Sequence, residues 1–418
     1  RIDLNLLDGD DEIAGENEDK SSKETYTILE SIDEGAMGEI LIAKDNELGR
    51  SVAYKRIHSH VAEHPGFLKR FFMEAKITAQ LQHPNIVPVY GLKTSDDEIG
   101  YAMKLIQGKT LNDLIVEARE QIDQNNRTDE YHSQAALLDH FLKVCDALHY
   151  AHRKGVVHRD LKPLNIMVGP YNEVYVMDWG ISKLVEVDKN TFEDKTERVD
   201  SEIDKQEEDK TTIGELLGTP VYMSPEQAKG ENNILDHRSD IFSLALILFE
   251  LITLKRALAG KSQIETIERA SSATLNPPVP YSHKIHVPKQ LIAVINKATK
   301  LNPNERYATV KEFANDIRRY IRGEAVTARP DNLKHKIIRW MNRHRAATFN
   351  IVSYLILASI FITGWSFYQQ QNAKINAQTE RQRMGQFISS VSKQAQAIDS
   401  KFLKYEGIVQ GVAASAIT

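Results

Sequence analysis

The pattern of apolar and polar residues divides the chain into stretches of different character. Residues 1–24 are acidic and almost without apolar periodicity, which predicts a disordered arm. Residues 25–322 contain short apolar runs and amphipathic stretches, which predict a folded domain. A basic stretch, 323–345, precedes an apolar run, 346–368. In the last stretch, 369–418, apolar residues recur at helical spacing, so we expect a separate helical segment there.

The folded domain begins with predicted strands. Tyr26–Ile32 and Glu39–Ala43 flank a glycine-rich turn, and Ser51–Ile57 is the next apolar run. Successive strand residues face opposite ways, so Ala53 and Lys55 share one face. Taken alone, this pattern also fits a plain hairpin followed by a strand with a solvent-facing lysine.

Helical periodicity follows these strands. Phe67–Leu81 predicts an amphipathic helix with Glu74 near its middle, and Pro84 prevents its continuation. A second helix is predicted from residue 133 to residue 154, and Gly155 supplies its C-terminal stop. The domain therefore combines strands in its first part with helices after them.

Composition and charge exclude some classes of function. The 418 residues are 41% hydrophobic and 27% charged, which is ordinary for a globular protein. The net charge of −5 argues against nucleic-acid binding as the main task. Cys145 is the sole cysteine, which excludes an internal disulfide and a cysteine metal cluster. The chain begins with Arg1 and ends in an apolar run, so we expect a fragment that lacks sequence at both ends.

The candidate chemistry is concentrated in Val157–Met167, where a charged loop interrupts two apolar runs. This pattern predicts a loop between buried strands. Asp160 can accept a hydroxyl proton, Lys162 can neutralise phosphate charge and Asn165 can hold a metal ion. A later buried strand delivers Asp178 at its end. Phosphoryl transfer needs little more from a protein than such positioning and charge, although a chance cluster of charges on a surface loop has the same local pattern.

These motifs resemble those of eukaryotic-type (Hanks-type) protein kinases, in particular the bacterial transmembrane serine/threonine kinases. His158–Asn165 resembles the catalytic loop H-R-D-L-x-x-x-N, and Asp178–Gly180 resembles D-F-G with Trp179 in place of Phe. Gly218–Glu226 closely resembles G-T-P-x-Y-M-S-P-E of the bacterial members. The resemblance extends roughly from Tyr26 to Arg322, with the motifs in the family's order.

The resemblance implies an α+β fold, the two-lobed protein-kinase fold. The small β-rich N-lobe would comprise about residues 25–106 and the larger helical C-lobe about residues 107–322. The activation segment, 178–226, would be longer than usual. Two structural contacts are also implied, that of Asp240 with the catalytic-loop backbone and that of Glu226 with Arg306.

The resemblance further implies ATP and Mg²⁺ as cofactors. The catalytic residues would be Asp160, Lys162, Lys55 and Glu74. The nucleotide-binding residues would be Ile32, Asp33, Gly35, Ala36, Gly38, Ile40, Ala53, Lys55, Met103, Leu105, Asn165, Met167 and Asp178. Lys55 would hold the α- and β-phosphates while Glu74 pairs with Lys55. Asn165 and Asp178 would bind Mg²⁺, a hard cation that prefers oxygen ligands.

One residue of the glycine-rich turn departs from the kinase pattern G-x-G-x-x-G-x-V. Asp33 occupies the first glycine position, whereas Gly35, Gly38 and Ile40 fit the pattern. A carboxylate near ATP phosphates is unfavourable unless it points away. Asp33 therefore supports an alternative interpretation, a pseudokinase receptor or scaffold that binds partners without catalysing transfer.

The implied reaction is transfer of the ATP γ-phosphoryl group to Ser or Thr hydroxyls of proteins, the reaction of a non-specific serine/threonine protein kinase. Ser224–Glu226 stands at the A-P-E position, which small-molecule kinases of the same fold usually lack. This element therefore disfavours a small-molecule kinase, the third interpretation. Thr219, together with Lys162, favours Ser and Thr over Tyr as acceptors.

Regulation by autophosphorylation is a hypothesis that follows from the same resemblance. Residues 186–212 are polar and of mixed charge. In the family, an arginine at the position of Arg159 pairs with a phosphorylated residue of this loop, a charge-assisted contact. We expect Thr211 or Thr212 to be that residue.

The apolar run 346–368 predicts a membrane-spanning helix, because about 20 apolar residues cross the hydrocarbon core. Trp365 and Tyr368 suit one membrane interface. The preceding basic residues are Arg329, Lys334, Lys336, Arg339, Arg343 and Arg345. By the positive-inside rule, the kinase domain would lie in the cytoplasm and residues 369–418 outside the inner membrane of a single-pass protein. A buried core helix is the alternative.

The last stretch contains apolar residues at alternating four- and three-residue steps. They are Met384, Ile388, Val391, Ala395, Ile398, Phe402, Tyr405 and Val409. This heptad seam predicts a dimerising helix, or equally the first helix of a truncated sensor domain, with a weak resemblance to Cache-type domains. The expected partners are protein substrates, the membrane, a second copy of the chain and an unknown extracytoplasmic ligand, but no nucleic acid.

Overall fold

The computed structural model describes residues 25–35, 38–94, 98–124, 132–179, 183–184, 219–330, 340–341 and 343–415. The chain divides into two units, residues 1–330 and residues 331–418. The predicted acidic arm, Ala36, Gly218 and the predicted phosphorylation sites Thr211 and Thr212 lie outside the described residues.

An antiparallel sheet forms the first part of the first unit. Its strands are β1 (Tyr26–Glu34), β2 (Gly38–Asp45), β3 (Arg50–Ile57), β4 (Val89–Thr94) and β5 (Ile99–Lys104). Their order across the sheet is β1-β2-β3-β5-β4. Helices α1 (Ser59–Ala62) and α2 (Pro65–Gln80) follow β3 in the chain. Helix α2 begins with a proline, whose fixed φ and missing N–H suit the first helical position.

Strand alternation determines which residues of β3 face helix α2. Tyr54 packs in one cluster with Leu41, Ala43, Val52 and Ala102. Ala53 packs on the other face of the sheet, in a cluster that includes Phe71 of α2. Because Lys55 shares the face of Ala53, it points toward the helix that carries Glu74.

The remainder of the first unit is mainly helical. Its α-helices are α3 (Leu111–Asp123), α4 (Gln134–Arg153), α5 (Pro225–Ala228), α6 (His237–Thr253), α7 (Gln263–Ser271), α8 (Lys289–Ala298) and α9 (Val310–Ile321). Its short strands are β6 (Lys109–Thr110), β7 (Val156–Val157), β8 (Ile166–Val168), β9 (Val174–Val176) and β10 (Lys183–Leu184). Strands β6, β8 and β9 form one sheet, and β7 pairs with β10. A β-rich first part and a helical second part confirm the predicted α+β, two-lobed fold.

Helix α6 lies at the centre of the helical part and anchors the catalytic loop. Residues 239–253 are all buried, as expected of a helix that is surrounded by core on every side. Asp240 accepts hydrogen bonds from the backbone N–H groups of His158 and Arg159, each at 2.9 Å. The Nε2 atom of His152 lies 2.7 Å from the same carboxylate. These bonds hold Arg159 at a φ of 69°, a strained conformation for a non-glycine residue.

A buried ion pair fastens the segment around helix α5 to the helical part. The two terminal nitrogens of Arg306 donate to the two carboxylate oxygens of Glu226 at 2.7 and 2.8 Å. The Ser239 hydroxyl donates to the same carboxylate at 2.7 Å. Burial alone would raise the pKa of Glu226, but the Arg306 guanidinium lowers it below its ordinary value. Both contacts implied by the kinase resemblance are therefore present.

The packing of the first unit extends beyond residue 322. Asp316 is buried on α9 and accepts hydrogen bonds from the backbone N–H groups of Thr327 at 2.7 Å and Ala328 at 3.1 Å. A buried carboxylate needs such donors to offset its lost hydration. These bonds hold the chain against the helical part for several residues after α9.

The second unit contains helix α10 (Arg345–Ser415), which is 71 residues long. In the part of the chain that the structure describes, it is the one helix long and apolar enough to cross a membrane, by length and composition. It includes the predicted span 346–368 and continues through most of the predicted extracytoplasmic segment.

Candidate active site

A cleft of about 590 Å³ in the first unit brings the predicted site residues together. The predicted nucleotide-binding residues that line it are Ile32, Asp33, Ile40, Ala53, Lys55, Met103, Leu105, Asn165, Met167 and Asp178. The predicted catalytic residues Glu74 and Lys162 also line the cleft. Gly35, Gly38 and the predicted base Asp160 are not among the lining residues, and Ala36 lies outside the described residues.

Apolar side chains from separate elements form part of the cleft wall. Ile40 comes from β2, Ala53 from β3, Met103 from β5 and Met167 from β8, and Leu105 follows β5. A concave, mostly apolar wall with a few polar groups is typical of small-molecule sites. This part of the cleft suits a flat ring such as a nucleobase.

Lys55 is the central cation of the cleft. Its Nζ atom lies 2.5 Å from Glu74 Oε1 and 3.5 Å from Asp178 Oδ1. Strand β3 supplies the lysine and helix α2 the glutamate, while Asp178 follows β9. Burial alone would lower the pKa of Lys55, but the two carboxylates raise it above its ordinary value. The side chain therefore remains an ammonium, the form that attracts phosphate.

Asp178 presents a carboxylate to the cleft. Its backbone has a φ of 63°, and its side chain is 46% exposed. Desolvation would raise the pKa of this carboxyl, but Lys55 and, to a smaller extent, Lys162 lower it below its ordinary value. Asp178 is therefore ionised near neutral pH, as a metal ligand must be.

The catalytic-loop residues form a second polar cluster. Lys162 Nζ lies 2.7 Å from Asp160 Oδ2 and 3.2 Å from the Thr219 hydroxyl oxygen. The backbone N–H and the hydroxyl of Thr219 donate to Asp160 Oδ1 at 3.0 and 3.1 Å. The Thr219 hydroxyl thus lies within hydrogen-bonding distance of Asp160. The arrangement matches the geometry that a general base needs toward an acceptor hydroxyl.

The catalytic loop, His158–Asn165, and the segment around Asp178 contact each other directly. Asn165 donates from its side chain to the Asp160 carbonyl oxygen at 2.9 Å, and its own carbonyl accepts from the Met177 N–H at 2.9 Å. The buried ring of Trp179 lies 4.6 Å from the ring of His158, centroid to centroid. Trp179 thus takes the place of the usual Phe as a packed aromatic residue.

The residues present fit a magnesium ion that is bound together with phosphate. Among the residues described here, no group of three or more His, Cys, Asp or Glu could hold a metal by itself. Asn165 and Asp178 supply one amide oxygen and one carboxylate. Mg²⁺ typically takes one or two protein ligands and completes its octahedron with substrate phosphates and water.

The glycine-rich turn is shaped by close backbone contacts. A Cβ atom at Gly38 would lie 2.2 Å from the Arg56 carbonyl oxygen, so only glycine fits there. The Gly35 N–H donates to the Gly38 carbonyl at 2.8 Å. Asp33 Oδ1 accepts from the Glu34 N–H at 3.0 Å at the edge of the cleft.

Several cleft residues were not predicted as site residues, among them Thr110, Asp113 and Tyr101. Thr110 and Asp113 form a reciprocal capping box at the start of α3, and both line the cleft. The T-x-x-D spacing before a helical stretch predicts such a capping box from the sequence. Tyr101 lines the cleft from β5, and strand alternation with Met103 places it on the inner face.

Comparison with known protein families gives a match that agrees with this geometry. Residues 26–316 match the sequence profile of the protein kinase domain. This range contains the five-stranded sheet and the helical part of the first unit as far as the middle of α9.

Curated bacterial proteins are also similar to the chain. Over 302 residues it is 37% identical to the serine/threonine-protein kinase PknD of Protochlamydia amoebophila, a match that covers 72% of this chain and 30% of the relative. Over 306 residues it is 33% identical to the protein of the same name from Chlamydia pneumoniae, covering 72% and 31%. The chain thus spans less than a third of the length of these relatives.

The charge cluster predicts an unusual pH dependence for the Lys55→Met variant. Without the ammonium, burial is expected to raise the pKa of Asp178 above its unfolded value. A carboxyl with a raised folded-state pKa favours the folded state as the pH falls. Because the buried Glu74 also loses its cation, the variant should lose about 3 kcal/mol of unfolding free energy at pH 8. The loss should be smaller at pH 5, where Asp178 takes up a proton.

The measurement is urea unfolding of residues 1–330, followed by the fluorescence of Trp179, the sole tryptophan of that stretch. Lys93→Met is the matched control, because Lys93 pairs with Glu98 in a more exposed position. The control should lose about 1 kcal/mol or less. Equal losses of unfolding free energy for the two variants, or a larger Lys55→Met loss at pH 5 than at pH 8, would show that Lys55 does not compensate the cleft carboxylates.

Proposed function

The chain belongs to the protein kinase family and is similar to its bacterial serine/threonine members, and on this premise we propose an ATP- and Mg²⁺-dependent protein kinase that phosphorylates Ser and Thr hydroxyls. The observation that carries the proposal is the sharing of one cleft by two charge clusters. One contains Lys55 and Asp178, and the other contains Lys162, which lines the cleft and pairs with Asp160 at 2.7 Å.

In this mechanism the residues bind ATP, orient the reacting groups and accept one proton. Lys55 binds the α- and β-phosphates of ATP. Mg²⁺, when held by Asn165 and Asp178, neutralises phosphate charge. Asp160 accepts the proton of the acceptor hydroxyl while the hydroxyl oxygen forms a bond to the γ-phosphorus. The bond between that phosphorus and the β–γ bridging oxygen breaks, which leaves ADP. Lys162 offsets the charge on the transferred group.

The proposed acceptor is a Ser or Thr side chain of a protein. The Thr219 hydroxyl lies 3.1 Å from Asp160, which is the distance that an acceptor hydroxyl requires. Pro225 and Glu226 lie in helix α5, and the buried Glu226–Arg306 pair fixes that helix. The pair thereby fixes the segment that resembles A-P-E, an element that favours a polypeptide over a metabolite as the acceptor.

We further propose that the chain is a single-pass receptor of a bacterial inner membrane. Residues 346–368 of helix α10 would span the membrane, with Arg343 and Arg345 on the cytoplasmic side. The seam residues of α10 are exposed along the helix; Ile388, for example, is 60% exposed and Phe402 71%. Pairing of two seams would bury them, and an outside signal would change the pairing and so promote phosphorylation in trans.

Phosphotransfer by the full chain tests the proposed activity. In detergent with labelled ATP and Mg²⁺, the parent should incorporate label, while Asp160→Asn should lose roughly 100-fold or more of the rate because a positioned base typically contributes that much. Asp139→Asn is the matched control, since Asp139 is 64% exposed on helix α4. A parent that binds ATP but incorporates no label would favour the pseudokinase, and restoration by Asp33→Gly would attribute the loss to that one residue.

Single-cysteine cross-linking tests the membrane receptor and its pairing. Cys145 is buried, so one added cysteine gives a clean readout. Val391→Cys, in the seam, should form a disulfide-linked dimer in membranes, whereas Lys393→Cys, outside the seam, should not. Lys393→Cys should also react with a membrane-impermeant maleimide from outside intact cells. A chain that stays monomeric in both variants contradicts the pairing, and absence of labelling from outside contradicts the orientation.

Autophosphorylation of the activation segment is the remaining part of the proposal. It is supported by Arg159, which directly precedes Asp160 and is fixed by Asp240. Thr211→Ala with Thr212→Ala should reduce the rate of substrate phosphorylation about tenfold, through the loss of roughly 1.4 kcal/mol of charge-assisted contacts. A double variant of Thr191 and Thr196 to Ala is the control within the same stretch. Full activity of the Thr211 and Thr212 variant would refute the idea.

A further inference from the structure

Tyr101 contacts the central ion pair from the neighbouring strand. Its side chain lies on β5 and is 3% exposed. The Tyr101 hydroxyl donates to Glu74 Oε1 at 2.6 Å. The same oxygen atom accepts from Lys55 Nζ at 2.5 Å. One carboxylate oxygen is thus shared between the ammonium and the phenol.

The ring of Tyr101 holds the same helix at a second point. Its centroid lies 5.3 Å from that of Phe71, which precedes Glu74 by almost one turn of α2. Lys55 Nζ lies 6.0 Å from the Tyr101 centroid, within reach of a weak cation–π attraction. The residue therefore contacts the helix through both its ring and its hydroxyl, and the lysine through its ring.

The phenol acts as a donor throughout the physiological range. Burial and the adjacent Glu74 carboxylate raise the pKa of Tyr101 well above its ordinary value. Since an ionised carboxylate has acceptors only, a neutral phenol can complement it where a second carboxylate could not. A short hydrogen bond to a charged group in a buried setting is among the stronger ones.

We propose that Tyr101 is a positioning residue for phosphoryl transfer, which fixes the Glu74 carboxylate so that Lys55 points at the ATP phosphates. The proposal rests on the kinase function proposed above. The hydroxyl does not touch ATP in this account; it acts through Glu74. Removing the Tyr101 hydroxyl leaves the ring packed against Phe71 but allows the Glu74 side chain to rotate. The Lys55 ammonium is then held less firmly in one position.

The test compares Tyr101→Phe with Tyr54→Phe in the full chain. Tyr54 is also a buried tyrosine of the same sheet, but it packs in the cluster on the other face. Tyr101→Phe should lower kcat/KM for ATP about five- to tenfold and weaken Mg²⁺-ATP binding by a few-fold. Tyr54→Phe should change neither by more than about twofold. Melting temperatures of both variants report any loss of folding.

A double variant separates positioning from a general structural role. Glu74→Gln removes the charge that attracts Lys55, so adding Tyr101→Phe should cost less than twofold in further activity. An undiminished five- to tenfold loss in that background would show that Tyr101 acts independently of Glu74 and would overturn the proposal. Equal behaviour of Tyr101→Phe and Tyr54→Phe in both turnover and ATP affinity would also overturn it.

The two proposals fail in different ways. A parent chain without phosphotransfer contradicts the kinase function, whereas the binding affinities of the variants still test Tyr101. A normal parent with an unaffected Tyr101→Phe variant leaves the kinase function intact and rejects the positioning role alone.

Discussion

The cleft depends on one charge cluster, in which Lys55 compensates the carboxylates of Glu74 and Asp178. Desolvating such groups is costly, and the buried Glu74 carboxylate without its cation would be destabilising by roughly 3–5 kcal/mol. The three residues come from β3, from α2 and from the end of β9. The cluster therefore forms only when helix α2 packs on the sheet and both parts of the unit meet at the cleft. The same charges that restrict the fold line the cleft in which the proposed ATP phosphates would bind.

A second constraint fixes the opposite side of the cleft. Asp240 accepts hydrogen bonds from the catalytic-loop backbone. Burial alone would raise the pKa of Asp240, but the hydrogen bond with His152 lowers it below its ordinary value. The ionised carboxylate keeps Arg159 in its strained conformation and so orients Asp160. Positions rather than special chemical groups carry the proposed reaction, as is usual for phosphoryl transfer.

The sequence predicted those parts of the site that are local in the chain. Asp160, Lys162 and Asn165 stand in one loop, and their spacing matches the catalytic-loop motif of protein kinases. Strand alternation also predicted that Lys55 shares a face with Ala53, and the structure shows that this face packs against α2. Tyr101 was missed because its role arises from tertiary packing: β5 meets α2 only in the folded sheet. The predicted end of the domain at residue 322 follows the motifs, whereas the hydrogen bond from Thr327 to Asp316 arises from tertiary packing. Likewise, residues 346–368 and 369–418 differ in composition, although one helix runs through both.

The most direct test of the phosphate site is covalent labelling with an acyl-phosphate derivative of ATP, which transfers its acyl group to lysines beside the phosphates. We expect modification of Lys55 and Lys162, detected by mass spectrometry and suppressed by excess Mg²⁺-ATP. Lys93 and Lys143, which pair with Glu98 and Asp139 outside the cleft, should show no ATP-dependent change. Uniform labelling of all four lysines, unaffected by ATP, would contradict the assignment of this cleft to ATP.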